Sequence, residues 1–576
     1  LTRPAIAAAS ALLLAACATS TPRSTASGDY LSGRLAAGLN DVQAAAEKYR
    51  EAVAARPGEI EIVRGAFLYQ LAAGDIEQAR PFAEELQAGE GADGLSAFTL
   101  AAVKLKHGDL EGARGALAKE FPDPFTTSIA RIATGWIAAE LDGADAGVAA
   151  FSVAGDSYFT GFNPTFKAIL SEKKGDVGAA RAAHELSVAS FGGPVGRAAF
   201  GAFLERQGDA AAAREYYAAL AKEGGPARRL AETALARLDR GAATKAYTDV
   251  SAAEGTALGL YLFAGNVLEQ SAGEMRRASE AGFKVTERPY NLPLALAQIA
   301  VYLDPALYDA RRLVGAIFNA YGNYADARAA FAEIPPSSPQ YEQAQIELAG
   351  SLAAEDRIDD AIASLRAAIR RDPGADEARL TIAGLYADAG RHEAAVKAAE
   401  KAIARLPGEP AQDAWRYYVT RAASLIELDR FEKAEVDLKR AVEIAPEEPV
   451  ALNYLGYSWA ERGINLDEAF ALIEKAVALR PQSGAIIDSL GWAHYQRGDY
   501  EAALPHLEKA AALEPGDPTV TEHLGDVYWR IGRTLEARFQ WERALELDPS
   551  ERQRDALQRK LKSGVEPEAA TSPDKP

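Results

Sequence analysis

The residues able to carry catalysis or hold a metal are few in this chain and stand apart. Its six histidines, His107, His184, His392, His494, His506 and His523, are scattered along the sequence. His494 and His506 lie twelve positions apart, on segments that a short turn would lay antiparallel, so their rings can approach. Two imidazoles without a third ligand are more often core or surface residues than a metal site. Gly456-Tyr457-Ser458-Trp459-Ala460 comes close to the Gly-x-Ser-x-Gly elbow that presents a serine nucleophile. It ends in alanine, however, and the elbow needs a strand-to-helix turn where this stretch reads as helix. No His-Glu-x-x-His, phosphate-loop or Cys-x-x-Cys pattern occurs. No catalytic residue, metal or cofactor is expected, and an enzyme is the weakest of the function classes.

The single cysteine has a more informative setting. Arg3 precedes an apolar run from Ala5 that ends Leu12-Leu13-Leu14-Ala15-Ala16-Cys17. One basic residue, a short apolar stretch and small residues at its end form a secretory signal over residues 1–17. The run is shorter than the ~20 apolar residues that span a bilayer. Leu14-Ala15-Ala16-Cys17 resembles the bacterial lipobox, and that resemblance implies a diacylglycerol thioether on Cys17 with cleavage just before it. Ala18 and Thr19 follow, with no aspartate; in lipoproteins of two-membrane bacteria this implies the periplasmic face of the outer membrane. Ala18 to Asp29 is rich in Ser, Thr and Ala and cannot bury a core, so residues 18–38 read as a flexible linker. No cysteine remains for disulfides, and stability must come from packing.

Composition and period say what kind of scaffold would position these residues. Of 576 residues, 48% are hydrophobic and 25% charged, an ordinary globular balance. The net charge of −19 without a basic cluster argues against nucleic acid, whose phosphates require Lys and Arg, and against docking to anionic lipid by charge alone. Prolines recur at Pro373, Pro407, Pro446, Pro481, Pro515 and Pro549, spaced 34, 39, 35, 34 and 34. Each closes a similar phrase, such as Ala-Leu-Glu-Leu-Asp-Pro before residue 550. In residues 484–517, Leu490-Gly491 falls in a first helix, Gly498 in a turn, Ala503 and Ala510 on the inner face of a second helix, and Pro515 ends it. The set returns as Leu524-Gly525, Gly532, Ala537, Ala544 and Pro549, and as Leu455-Gly456, Gly463, Ala469, Ala476 and Pro481. Small residues at Gly491, Ala503 and Ala510 let two helices approach closely. Gly498 tolerates the positive φ of the turn, and Pro515 cannot continue a helix.

A 34-residue period of this kind resembles the tetratricopeptide repeat. It implies an all-α, right-handed α-solenoid of helix pairs, in which stacking buries the apolar face that a single pair leaves bare. Weaker units extend upstream: Gly74-Asp75, Gly108-Asp109, Gly175-Asp176 and Gly208-Asp209 keep the turn phrase, and a divergent unit around Trp136 fills the interval. The reading divides the chain into divergent repeats at 39–240, an irregular helical middle segment at 241–306 and regular repeats at 307–550. A charged capping helix at 551–563 and a disordered tail at 564–576 follow. The middle segment reads either as a joint between two arms or as a degenerate repeat that still stacks.

In this family the first helix of each pair lines the inner face. Carried onto this sequence, that face offers Asn453, Tyr457, Asp488, Trp492, Tyr495, Glu522, Asp526, Trp529 and Arg530. Aromatic rings among carboxylates suit an extended peptide or protein loop. Asn453 is present, but the lysines of the carboxylate clamp found in chaperone-binding repeats are not. For Trp492 and Trp529, packing between adjacent units is as good an account as ligand contact. Lipobox, repeats and the phrases at 451–457, 488–492 and 523–529 together resemble the large outer-membrane tetratricopeptide lipoproteins, some of which are adaptors of periplasmic carboxyl-terminal processing proteases. The resemblance implies a non-catalytic adaptor holding such a protease and its protein substrates near the outer membrane. An assembly or secretion factor, pilotin-like or serving polysaccharide export, is the alternative.

Overall fold

The computed structural model describes residues 26–565, apart from 153–160, 191–192, 281–290 and the single positions 90, 120, 122, 224, 243, 245, 407 and 409. The leader with Cys17, the start of the linker and the tail beyond 565 lie outside the described residues. Among the described residues the chain forms thirty α-helices and one 3-10 turn, with no strand.

Close approach builds the helix pairs, at the positions where the sequence carries small residues. A Cβ on Gly456 would stand 2.7 Å from Ile473 Cγ1 and 2.8 Å from the Ala469 carbonyl; on Gly491 it would stand 2.6 Å from Leu507. No side chain fits there, so the helices meet almost backbone to backbone. Gly498 turns the chain at φ +79°. Where the turn lacks glycine, Asp356 and Asp429 hold the same left-handed conformation at φ 60° and 54°, which short polar side chains tolerate better than most.

The chain divides into two compact units, one of residues up to 221 with 226–372, the other of 222–225 with residues from 373 on. The division falls at Asp372–Pro373, so the segment 241–306 is not a joint between units. Its helices Ala252–Glu280 and Asn291–Leu303 return to helices laid down far earlier in the first unit. Ala252–Glu280 packs on Pro124–Leu141, and Asn291–Leu303 on Ile60–Ala73 and Gly94–Lys106. Gly255 lies so close to Trp136 that a Cβ would be 2.1 Å from its ring, and Phe263 meets Phe125 at 5.1 Å. Gln298 donates to the Ala72 carbonyl (3.2 Å) and Lys106 to that of Leu303 (3.2 Å). Leu294 to Ala297, Ile299 and Ala300 are all fully buried in one continuous core. The first helices of the early pairs are therefore covered by the protein's own chain.

The expected linker also ends sooner. Ala26–Gly38 is a helix paired with Val42–Ala55. Gly33 brings it against the Tyr49 ring, where a Cβ would stand 3.0 Å away, and Tyr30 meets the same ring edge-on at 5.9 Å.

The second unit is the regular stack. Its pairs are Asp376–Asp388 with His392–Ile403, Trp415–Glu427 with Phe431–Ile444, Pro449–Glu461 with Leu466–Leu479, Gly484–Gln496 with Tyr500–Leu513, and Pro518–Arg530 with Thr534–Glu546. The 3-10 turn Gln412–Ala414 leads into Trp415–Glu427, within the stretch where the proline spacing lengthens to 39. Lys475, Lys509 and Arg543, each 34 residues after the last, donate to the carbonyls of Pro446 (2.7 Å), Pro481 (3.1 Å) and Pro515 (2.8 Å). Each pair is thus tied to the proline turn that precedes it.

One buried group in the first unit sets an acid limit. His184 lies on the inner stripe of Val177–Ser190 with Ala180 and Ser187, fully buried against Phe203 (4.9 Å) and Phe200 (5.8 Å). Neither ring nitrogen has a hydrogen-bond partner. Burial, helped by the charge of Arg206, lowers its pKa to about 4, so the folded chain keeps the ring neutral. An unfolded chain takes up the proton near pH 6.5. The stability that depends on neutral His184 is complete above that pH and is lost as pH falls toward 4, to the extent of about 2–3 kcal/mol. His184→Leu should flatten this acid slope in urea unfolding of the first unit, and an unchanged slope would refute the assignment.

Candidate protein-binding surface and its cap

The last three first helices of the second unit are well delimited. Asp517 Oδ1 accepts from the backbone N–H groups of Thr519 (2.7 Å) and Val520 (3.2 Å), and Glu448 from Val450 (3.2 Å). Both helices carry proline in the first turn, where its missing N–H has no intrahelical partner to lose. Asn453 and Tyr457 come from Pro449–Glu461, Asp488, Trp492 and Tyr495 from Gly484–Gln496, and Glu522, Asp526, Trp529 and Arg530 from Pro518–Arg530.

Four of these nine residues are turned into the seams of the stack rather than toward a groove. Asp488, Tyr495, Glu522 and Asp526 are buried. The Asp488 carboxylate accepts from His523 Nδ1 at 2.9 Å. Burial favours the neutral His523 ring, but Asp488 outweighs it and raises the pKa above the usual histidine value. Glu522 and Asp526 both accept from Lys560 Nζ at 2.6 Å, a residue of the helix Glu551–Ser563. Glu522 also takes Gln553 (2.8 Å) and Asp526 takes Trp541 Nε1 (2.9 Å). A carboxylate enclosed by helices has to be paired to remain charged, and the neighbouring helices supply the partners. Burial works against the Lys560 ammonium, yet Asp526 and Glu522 hold its pKa above the ordinary lysine value. Burial pushes the Asp526 carboxyl up despite Lys560.

Asn453, Tyr457, Trp492, Trp529 and Arg530 remain partly accessible. The Trp492 ring is stacked between Tyr495 (4.6 Å, 6°) and His523 (3.9 Å, 15°). Arg530 donates to the Tyr495 hydroxyl at 3.0 Å and lies over the Tyr495 and Tyr500 rings. Tyr457 faces Glu461, Asp488 and Glu522; burial and these charges push its phenol up. Tyr454, 40% exposed, belongs to the same helix and was not among the expected residues. His523, Trp541 and Lys560 were missed as well. The 35-residue step from Asp488 to His523, close to the repeat length, was the legible signal. The surface left over is a row of fixed aromatic rings edged by carboxylates, able to bind by ring edges and apolar contact without side chains having to order first.

Ser458 is buried within the helix Pro449–Glu461. His494 and His506 do stack, at 5.5 Å and 4°, but among the described residues no group of three or more His, Cys, Asp or Glu is placed to hold a metal.

Comparison with known proteins agrees with the period. The tetratricopeptide repeat family matches residues 346–410, 419–484 and 489–552. A TPR repeat-containing protein of Pseudomonas aeruginosa is 44% identical over 64 residues, 11% of this chain and 11% of that protein, so the chain matches about a tenth of this relative's length. Among solved structures, the Cut9–Hcn1 hetero-tetramer of APC/C is 15% identical, covering 93% of this chain and 96% of that one at a TM-score of 0.39. A tetratricopeptide repeat protein of Parabacteroides merdae is 16% identical, covering 44% and 97%, at a TM-score of 0.35.

Removing the Lys560 charge should loosen the cap. Lys560→Met leaves Glu522 and Asp526 buried without their cation and should cost about 3 kcal/mol. Urea unfolding of the second unit and faster amide exchange in Glu551–Ser563 would report it. Adding Asp526→Asn should recover part of the loss. Unchanged stability in the single variant would show that the network does not hold the cap.

Proposed function

We propose that this chain, whose residues 346–410, 419–484 and 489–552 are tetratricopeptide repeats, is a lipid-anchored scaffold. On this reading it collects proteins on the aromatic surface of its second unit. Tetratricopeptide repeats bind proteins or peptides, and the observation that carries the reading here is the accessible row Tyr454, Tyr457 and Trp492 on the regular stack. Three first helices of the first unit, Ile60–Ala73, Gly94–Lys106 and Pro124–Leu141, are covered by Ala252–Glu280 and Asn291–Leu303, and the reading places capture on the second unit. The anchor rests on the sequence Leu14-Ala15-Ala16-Cys17 and on Ala18 after it, which favour the periplasmic face of the outer membrane.

The finer role is an adaptor. A periplasmic processing protease and its protein substrates, held by one chain near the membrane, meet at a raised effective concentration without further chemistry. Chemical cross-linking in envelopes followed by mass identification of partners tests this directly. A processing protease should be recovered, and its cleavage of a co-recovered substrate should rise several-fold when the soluble Cys17→Ser chain is added. No rise refutes the adaptor, and recovery of an export or assembly apparatus instead would favour the secretion-factor reading. The same Cys17→Ser chain should move from the membrane fraction to the soluble periplasm; if it stays with the membrane, the anchor is wrong.

A further inference from the structure

Among the described residues, the first and last helices are finished differently. Glu551–Ser563 buries Leu557 against the repeat before it and turns Glu551, Arg552, Asp555, Gln558 and Arg559 outward, the polar outer face that a terminal element of a repeat array needs in water. The first helix, Ala26–Gly38, has no such finish. Leu31, Leu35 and the following Leu39 are 62%, 64% and 67% exposed, and their spacing of four residues puts them on one face. Among the described residues no other exposed large apolar side chains form a run of three at helical spacing; Leu535 and Phe539 make a pair and the others stand singly. Arg34 is exposed beside the leucines, with a stem long enough to lie along an apolar layer while its charge reaches polar headgroups.

What could cover this face is set by the chain in front of it. Eight residues, Ala18 to Thr25, separate Cys17 from Ala26; fully extended, that leash spans about 30 Å. An acyl chain on Cys17 therefore keeps the leucines within reach of the bilayer surface at all times. We propose that the Leu31–Leu35–Leu39 face lies in the membrane interface, making the first helix an amphipathic second contact beside the acyl anchor. The inference rests on the lipidation of Cys17 proposed above. A helix with leucine on one side and arginine at its edge suits the boundary between headgroups and acyl chains. Held this way, the first unit presents a fixed side to the membrane, which an anchor at Cys17 alone would not impose.

The test uses the full chain carrying Leu35→Cys, with a polarity-sensitive fluorophore on the new thiol, reconstituted into vesicles of phosphatidylethanolamine and phosphatidylglycerol. Glu84→Cys, on an exposed polar surface of the same unit, serves as the control. Mass analysis of the N-terminal peptide first reads whether Cys17 bears lipid; its absence overturns both the anchor and this inference. With lipid present, emission from position 35 should shift to the blue and be quenched by shallow spin-labelled lipid, while position 84 does neither. A label at 35 that stays in water overturns the membrane contact and leaves the anchor standing. A Cys17→Ser chain that sediments as a dimer, and becomes a monomer on Leu35→Glu, would assign the face to a second copy and overturn the proposal.

Discussion

A pair of helices cannot bury its own apolar face, and every major feature of this protein answers the question of what covers the face left over. In the second unit the answer is the next pair, held in register by Lys475, Lys509 and Arg543 on the preceding proline turns, while Gly456, Gly491 and Gly525 bring the two helices within each pair together. In the first unit the answer is different: the helices Ala252–Glu280 and Asn291–Leu303 come back and pack on the early pairs. The same element type thus gives an open stack in one half and a closed core in the other, and the difference is which helix faces are still available to a partner.

Polar groups inside the stack follow the same logic of cover. Glu205 is buried yet takes Tyr217 (2.8 Å), Thr244 N–H (3.1 Å) and Arg237 from three separate segments. Despite burial these partners hold its pKa below the usual carboxylate value. In the second unit Asp488 is paired with His523, and Glu522 and Asp526 with Lys560. Such pairs add little net stability compared with apolar contacts of the same volume, but each fails badly if one member is removed. They fix which helix meets which. His184, enclosed without any partner, stays neutral instead.

The sequence made the regular half legible because three small or rigid residues, glycine, alanine and proline, recur at fixed steps, and each has one mechanical use. The turns at Asp356 and Asp429 kept the geometry but lost the glycine that advertises it. The return of Ala252–Glu280 left only oblique marks: Gly255 and Gly259 inside the helix, there because Trp136 and Ile132 press against them. A contact across more than a hundred residues leaves no period to read. The groove residues were half legible. The family pattern says which helix lines the inner face, but not that Asp488, Glu522 and Asp526 would find cations on the neighbouring helices and turn inward. The first helix was hidden by its composition, since Gly33 and Ala36 pack while Leu31 and Leu35 point away.

The closure of the first unit also sets an order in time. Chains emerge from synthesis amino end first, and domains fold as units once their parts exist. Ile60–Ala73 and Gly94–Lys106 gain their covering helix only when Leu303 has appeared, some two hundred residues later. Until then their apolar faces are open. The second unit, whose contacts run mainly between neighbours, has no such wait and can grow one pair at a time. On the export proposed above, a chain crossing the membrane unfolded meets its most exposed moment midway, with the early helices on the far side and their cover still to come.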